Sequence, residues 1–504
     1  MNTNNWAEHL AHWKTFLSER LAATGDEGER IKAERQLRTI ERVRCAAVLN
    51  PKVLTEFIAP PDTLLSEPEP VRHPDYFLNL NDSQQKAVET ALGDHVLSLI
   101  QGPPGTGKTQ VIAEICLQLY RQDPAVRILV CSETHIAVNN LISRISEYND
   151  RIRIVRIRDK EPNSAADEFS PETIVHTYCE WLQDFCKDPD IACSISQTLS
   201  DCEDKSLEKA LALSANITGM TCNRVSAYEF ETSSEMFDIV IIDEVCKATL
   251  PEILAPLTVA RKAVLVGDPK QLPPVFCSEE LEIIRSIEQC DLQSYLYIDE
   301  LFSRSPRVTI LDTQYRMTDQ IGSLIGALFY GGALKNGRNA SDKGCITWID
   351  YTPTKAWPLQ GKNNAGNPRI FNLDEGEIIR SLLWKLADSG AGTSAAVITP
   401  YRQQAASIRK SLRPESFAGL DVNVDTVDGF QGKESDIVIF SLTRTHGSFR
   451  FLADARRLNV ALSRARDRLY IVGSLRYAAH HELLRSIAQY CRKAVWDEPL
   501  PAAP

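Results

Sequence analysis

The sequence predicts an α/β protein of two lobes, each a parallel sheet flanked by helices, with a helical N-terminal extension. Three observations carry this. An apolar, β-prone run, Val96 to Ile100, breaks into a Gly/Pro loop and resumes with Val111, Ile112, Ile115 and Leu119 at helical spacing. Short apolar strands ending in small polar residues then alternate with helical stretches, once before residue 278 and again after it. Residues 5–58 show helical periodicity alone.

Bulk properties bound the rest. A chain of 504 residues exceeds one ordinary core. Its 43% hydrophobic and 24% charged residues are those of a globular protein. No apolar run approaches the ~20 residues of a membrane span, and the N-terminus has neither a basic start nor an apolar signal core. No membrane partner is therefore expected. Thirteen cysteines, an odd number without a C-x-x-C pair, read as reduced thiols. The expected setting is intracellular and cytoplasmic, with the nucleus open if the source cell has one. A net charge of −11 argues against a histone-like binder but leaves room for a local basic channel.

In order, Trp6, Leu10, Trp13, Leu17 and Leu21 form one helical stripe. A second helix from about Arg30 sets Ile31, Leu37, Ile40 and Val43 against Lys32, Arg35, Arg38 and Arg42. The pair is expected to pack on the main body, the alternative being an arginine face for nucleic acid. Pro60-Pro61 and Glu67–Pro70 mark a linker. Asp82 or Ser83 caps the next helix, which carries Gln84.

The loop itself reads Gly102-Pro103-Pro104-Gly105-Thr106-Gly107-Lys108-Thr109. Glycines let successive backbone N–H groups turn inward around a polyphosphate, and the helix N-terminus adds its partial positive charge. Lys108 then reaches the β/γ-phosphates and the Thr109 hydroxyl can ligate Mg²⁺. ATP and Mg²⁺ are the cofactors this pattern implies. Two further strands, to Cys131 and to Met220, end beside Thr134 and Thr221. Phe237 to Asp243-Glu244 is an apolar strand ending in two carboxylates. Set beside the phosphate loop, Asp243 can hold Mg²⁺ and Glu244 can orient or deprotonate the attacking water. The strand from Ala263 leads to a polar loop ending at Gln271.

Residues 143–215 read as a polar, helical insertion without glycine. There Cys179, Cys186 and Cys193 recur every seven residues, near His176 and Cys202. Neighbours on one helix face stand about 10 Å apart, too far to share one metal ion, so a buried stripe is expected. The acidic segment 278–300 is expected to cross into the second lobe, opened by Val308–Met317. Strands Ala395–Thr399, Asp436–Thr443 and Leu469–Gly473 follow, and the last 30 residues read as a helix and a proline-ended tail. The expected domains are 1–75, 76–278, 279–478 and 479–504.

From Leu80 to Gly473 the ordered motifs resemble those of superfamily 1 helicases of the up-frameshift and senataxin-like branch. They are Leu80-Asn-x-Ser-Gln-x-x-Ala-Val, the phosphate loop, Asp243-Glu244, Val266-Gly-Asp-Pro-Lys-Gln-Leu-Pro-Pro and Gln314-Tyr-Arg-Met. Phe329-Tyr-Gly-Gly, Asp428-Gly-Phe-Gln-Gly-Lys-Glu and Leu458-Asn-Val-Ala-Leu-Ser-Arg-Ala-Arg complete the set. An AAA+ ATPase sharing the phosphate loop would not carry the last of these. The resemblance implies two tandem RecA-like domains with ATP in the cleft between them. It gives Gln84 the adenine edge, Tyr315 a stacking place near the base, Glu434 the ribose, and Gln271 the γ-phosphate. Arg316 and Arg464 become second-lobe arginines that couple hydrolysis to closure. Single-stranded RNA or DNA then runs over strand-end loops at Thr134, Thr221, Thr399, Thr426 and Thr443, with movement 5′→3′.

Three departures stand out. Lys247 occupies the place of the glutamine in the family's Asp-Glu-x-x-Gln segment; the family's barrel is not among the roughly 75 residues before the first motif; the 143–215 insertion is modest. The expected function is an ATP-dependent helicase or translocase. The alternative is an ATP-gated binding or nucleoprotein-remodelling subunit without autonomous unwinding. A protein partner is expected at the N-terminal helices or the insertion.

Overall fold

The computed structural model describes residues 6–58, 74–149, 151–158, 168–200, 204–227, 237–287, 297–305, 307–338, 345–353, 370–412, 417, 419–430 and 432–496. The linker at 60–70, Cys202, Gln431 and the proline-ended tail lie outside them. The chain divides into two compact units. One comprises Met1–Gly102, Gly107–Pro269 and Pro273–Leu311; the other Pro103–Thr106, Lys270–Leu272 and Asp312–Pro504.

The first unit is built on seven strands: β1 (Leu97–Gln101), β2 (Ile128–Ser132), β3 (Ile154–Arg156), β4 (Ile217–Thr221), β5 (Phe237–Asp243), β6 (Ala260–Gly267) and β7 (Val308–Ile310). They pair in parallel in the order β3-β4-β2-β5-β6-β1-β7. The strands read as unbroken apolar runs because helices cover both faces of a parallel sheet. Residues alternate between two cores. Leu97, Leu99, Val240, Ile242 and Leu265 face one layer, and Ile100, Ile239, Ile241, Val264 and Val266 the other.

The second layer comprises α4 (Asp82–Leu92), α5 (Lys108–Gln122) and α6 (His135–Ser146). The first holds the N-terminal helices α1 (Trp6–Ala23), α2 (Glu27–Arg44) and α3 (Pro51–Ile58). Leu10, Trp13 and Leu17 of the expected α1 stripe are buried in it, Trp6 and Leu21 are half-buried, and Phe16, outside the stripe, is buried as well. On α2, Ile40 is buried and Leu37 and Val43 pack beside it, as expected. Of the four expected apolar residues only Ile31 is exposed, and Lys32, Gln36 and Thr39 face the body as well. Lys32 and Gln36 bond Glu252, and Thr39 bonds Ser226. A polar stripe at i, i+4 and i+7 therefore joins the apolar one in the contact. Ser226 sits on α10 (Cys222–Ala227) and Glu252 on α11 (Leu250–Leu257), the helix that follows Asp243-Glu244.

Three expectations are corrected in this unit. Val308–Ile310 pairs with β1 instead of opening the second lobe, so the first unit runs to Leu311 rather than 278. Helices α12 (Ser278–Ser286) and α13 (Tyr297–Arg304) bury Ile284, Ile298, Leu301 and Phe302 in the first core. The insertion contains the strand β3 before α7 (Pro171–Phe185), α8 (Pro189–Ser200) and α9 (Asp204–Ser214). The cysteine stripe does not form either. The helix breaks at Cys186 ahead of Pro189, Cys179 and Cys186 are half-buried, and Cys193 is exposed.

The second unit begins with the two-residue pair β8 (Thr313–Gln314) and β9 (Lys335–Asn336). Its main sheet comprises β10 (Cys345–Asp350), β11 (Ser394–Thr399), β12 (Asp421–Thr426), β13 (Ser435–Ser441), β14 (Ala465–Val472) and β15 (Arg492–Val495). All six pair in parallel in the order β12-β11-β13-β14-β10-β15. Helices α14 (Asp319–Phe329), α17 (Ala455–Leu462) and α19 (Glu482–Tyr490) cover one face. Helices α15 (Leu373–Asp388) and α16 (Arg402–Leu412) cover the other, and the short α18 (Leu475–Ala478) precedes α19. The segment expected to end as helix and tail thus adds an edge strand. Two parallel-sheet α/β domains follow one another along the chain, the tandem RecA-like architecture.

Candidate active site

In the first unit the chemistry collects at the C-terminal ends of the strands, where open parallel sheets place ligands. β1 ends at Gln101 and the loop follows. Gly105 and Gly107 take left-handed φ of 74° and 80°, which a side chain disfavours. Gly107 is also the N-cap of α5, so Lys108 and Thr109 open that helix. The Thr106 hydroxyl donates to the Pro103 carbonyl at 2.8 Å, closing the turn. The backbone N–H groups at this N-terminus suit an anion. Lys108 Nζ donates to the Gly102 carbonyl at 3.0 Å and stands 3.7 Å from Glu244 Oε1.

β6 lies between β5 and β1 in the sheet. The pairing of Lys108 with Glu244 shows that the loop and lysine span that strand. Ser132 of β2 registers with both Thr221 and Asp243, so these three end their strands at one level. Glu244 has φ 53° and ψ 35°, the left-handed region, which turns its carboxylate out of the strand direction. Asp243 is buried and accepts the Glu244 N–H at 2.8 Å. Burial, reinforced by the neighbouring Glu244 charge, pushes its carboxyl up to about 7. A hydroxyl at Thr109 and a carboxylate at Asp243 are the oxygen donors Mg²⁺ takes, and a cation would restore the ionised form of Asp243.

Gln84 is buried rather than solvated. Its Oε1 accepts the Asn81 N–H at 3.0 Å in a capping box, and its Nε2 packs on Gly107, where a Cβ would stand 2.6 Å away. Lys247, the departure from the family pattern, pairs with Glu133 at 3.1 Å, so a charge complement replaces the glutamine. Glu133 was missed by sequence reasoning, since nothing local ties residue 133 to 247.

The second unit gathers the arginines. Arg316 Nε donates to Glu434 at 2.5 Å and Arg316 Nη1 to the Ser463 carbonyl at 3.2 Å. Arg464 is buried; its Nη2 donates to Gln271 Oε1 at 3.3 Å and its Nε to the Val460 carbonyl at 2.9 Å. The Tyr315 N–H donates to the Gly105 carbonyl at 2.8 Å, and the residue is 44% exposed. Glu434, given the ribose by resemblance, is engaged by Arg316 and also lies 3.7 Å from Arg466.

All five threonines stand at or just beyond strand ends, but they are not alike. Thr134 caps α6, Thr221 accepts the Arg224 N–H at 3.3 Å, and Thr426 accepts the Gly429 N–H at 3.3 Å. Thr399 and Thr443 are fully buried with their Oγ1 atoms 3.0 Å apart, so neither hydroxyl faces a passing strand in this conformation. Around them lies a network the sequence does not reveal. Glu375 accepts from Ser441 Oγ at 2.6 Å, the Thr443 N–H at 2.8 Å and Tyr351 Oη at 3.1 Å. Thr443 itself holds a left-handed φ of 69°.

Two family models, each described as an AAA domain, match the chain over residues 79–200 and 190–279 and over 295–476. The chain is similar to DNA polymerase alpha-associated DNA helicase A of Saccharomyces cerevisiae, 28% identical over 471 residues, covering 82% of this chain and 68% of that protein. It is 31% identical over 427 residues to Regulator of nonsense transcripts 1 homolog of Arabidopsis thaliana, covering 78% of this chain and 32% of that one. Helicase sen1 of Schizosaccharomyces pombe is 27% identical over 495 residues, with 79% and 29% covered. The chain thus spans about two thirds of the first relative and about a third of the other two. Among solved structures, arterivirus nonstructural protein 10 (helicase) aligns with a TM-score of 0.41 and 14% identity over 80% of this chain and 63% of that one. No helix among the described residues is long and apolar enough to cross a membrane. The chain belongs to the up-frameshift and senataxin-like branch of superfamily 1 helicases, a class of ATP-hydrolysing enzymes that act on nucleic acid.

Proposed function

We propose that this chain hydrolyses ATP with Mg²⁺ and uses the turnover to step 5′→3′ along single-stranded RNA or DNA. The observation that carries the reading is the convergence of Lys108, Asp243 and Glu244 at the C-terminal edge of one sheet, with Lys108 Nζ 3.7 Å from Glu244. Thr109 and Asp243 hold the cation, which neutralises phosphate charge. Lys108 and the loop N–H groups hold the phosphates, and Glu244 orients and deprotonates the attacking water. Gln84 and Tyr315 position the base. Gln271 reports the γ-phosphate to Arg464, to which it is already hydrogen-bonded. Arg316 and Arg464 supply positive charge as the phosphoryl group transfers. Thr134, Thr221 and Thr426 offer hydroxyls and N-terminal backbone to the strand, while Thr399 and Thr443 contribute through the backbone they fix.

The test is ATP hydrolysis by the purified chain, alone and with single-stranded RNA or DNA. The polymer that serves as track is expected to stimulate turnover, and Lys108→Ala and Glu244→Gln each lower it by about 10²-fold or more. Directional displacement of a 5′-tailed against a 3′-tailed duplex reads polarity. Hydrolysis indifferent to both polymers would overturn the motor reading and favour the ATP-gated subunit. Loss of neither activity in Glu244→Gln would overturn the catalytic assignment.

A further inference from the structure

Helix α7 of the insertion carries a ladder of exposed aromatic rings. Tyr178, Trp181 and Phe185 are 45%, 52% and 68% exposed. Tyr178 and Trp181 stack with centroids 6.0 Å apart and planes 16° from parallel; Trp181 and Phe185 stack at 5.8 Å and 25°. Pro171 and Leu182 are buried and Ile174 packs on the first unit's core, so the helix is anchored by residues other than the ladder. Three large rings held in one stacked row on the surface are an apolar patch that folding alone does not require. Their i, i+3, i+7 spacing covers about 10 Å of helix, the anchor pattern by which one amphipathic helix reads another.

The surrounding charge decides what fits. Aromatic platforms for single-stranded nucleic acid work inside a cationic groove. Here α7 carries Glu172, Glu180 and Asp184 and no lysine or arginine, and Asp188 and Asp190 follow at its C-terminal end beside Lys187. A phosphate backbone is repelled by a helix of this net negative charge, whereas a cationic segment is drawn to it.

We infer that the Tyr178–Trp181–Phe185 ladder is a docking surface for a basic amphipathic helix of a partner protein, apolar along one face and flanked by lysine or arginine. The rings supply the buried contact and the carboxylates the orientation. None of the three rings is among the residues assigned to ATP or the cation.

The probes are two synthetic helices with one shared apolar face, one flanked by Lys/Arg and the other by Glu. Binding to the full chain is measured by fluorescence anisotropy. The basic helix should bind at least about tenfold more tightly than the acidic one and lose about tenfold in Trp181→Ala/Phe185→Ala. Basal ATP hydrolysis should not change, which also shows that the variant is folded. Glu180→Lys/Asp184→Lys, a surface change that keeps the rings, should reverse the preference between the two helices. Equal binding of both helices, or indifference to either variant, overturns the proposal. Loss of oligonucleotide affinity in the ladder variant with peptide binding unchanged assigns the rings to nucleic acid and overturns it. Self-association of the wild type in sedimentation that disappears in the ladder variant assigns them to a second copy and does the same.

Discussion

Glu375 shows how a residue without a motif can govern one that has one. Its carboxylate, fully buried, ties the end of β13 to α15 through Ser441, the Thr443 N–H and Tyr351. That bond to the Thr443 N–H is one reason the residue holds a conformation costly for threonine. Burial pushes Glu375 up to about 7 against the pull of the Ser441, Thr443 and Tyr351 donors. With the native pKa raised, the folded state keeps a proton that the unfolded chain releases. The stabilisation is complete below the unfolded value near 4.5 and disappears as pH rises through about 7. Unfolding in denaturant at pH 5 and at pH 8 should therefore differ by roughly 3 kcal/mol from this group. Glu375→Gln should flatten that difference; parallel curves for wild type and variant would exclude the assignment. None of this is legible in the sequence. Asn372-Leu-Asp-Glu375 reads as an ordinary helix cap with an acidic first turn, and its partners Ser441 and Thr443 lie more than 60 residues away. The phosphate loop was legible because glycine at two left-handed positions and a lysine opening a helix are local demands.

Among elements, the contact between α2 and α11 carries the most chemical information. Lys32 Nζ stands 3.1 Å from the buried Glu252, which also takes the Gln36 amide at 3.2 Å and the Thr249 N–H at 2.8 Å. Burial opposes both charges, yet Glu252 holds Lys32 above its ordinary range and Lys32 with Thr249 holds Glu252 below its own. Breaking one side leaves a charge stranded, so Lys32→Met should lower the first unit's stability by about 2 kcal/mol, allowing for the lysine's partial exposure. Adding Glu252→Gln should recover part of the loss, because the stranded charge is gone; a double variant worse than the single would refute the pairing. Periodicity located these helices and placed Leu37, Ile40 and Val43 of α2 on the core, but it weighs apolar positions and cannot see an acid waiting on another helix, so the inward turn of Lys32 and Gln36 escaped it. The strands β3, β10 and β15 escaped notice for related reasons. Arg492-Lys-Ala-Val495 is polar, Ile154–Arg156 spans three residues, and Cys345–Asp350 lacks a clean alternation because both its faces are covered.

For the whole molecule, the ordered motifs disclosed two tandem parallel-sheet domains, and both sheets are present with every expected strand inside them. What the motif order could not disclose is where one sheet ends. A boundary at residue 278 follows the last apolar strand of a continuous series, but sheet membership is settled by pairing, and pairing partners are distant in sequence. β7 is the case in point. It lies beside β1, with Leu99, Ile100 and Gln101 registered to Val308, Thr309 and Ile310. Removing residues 279–311 would turn the strand that feeds the phosphate loop into an open edge, with unsatisfied N–H and C=O groups ready to template another chain. A first-unit fragment cut after Ser278 should accordingly aggregate, whereas one cut after Leu311 should remain monodisperse in sedimentation velocity. The short strand that closes the sheet is thus a guard against intermolecular β-pairing at the very strand on which nucleotide binding depends.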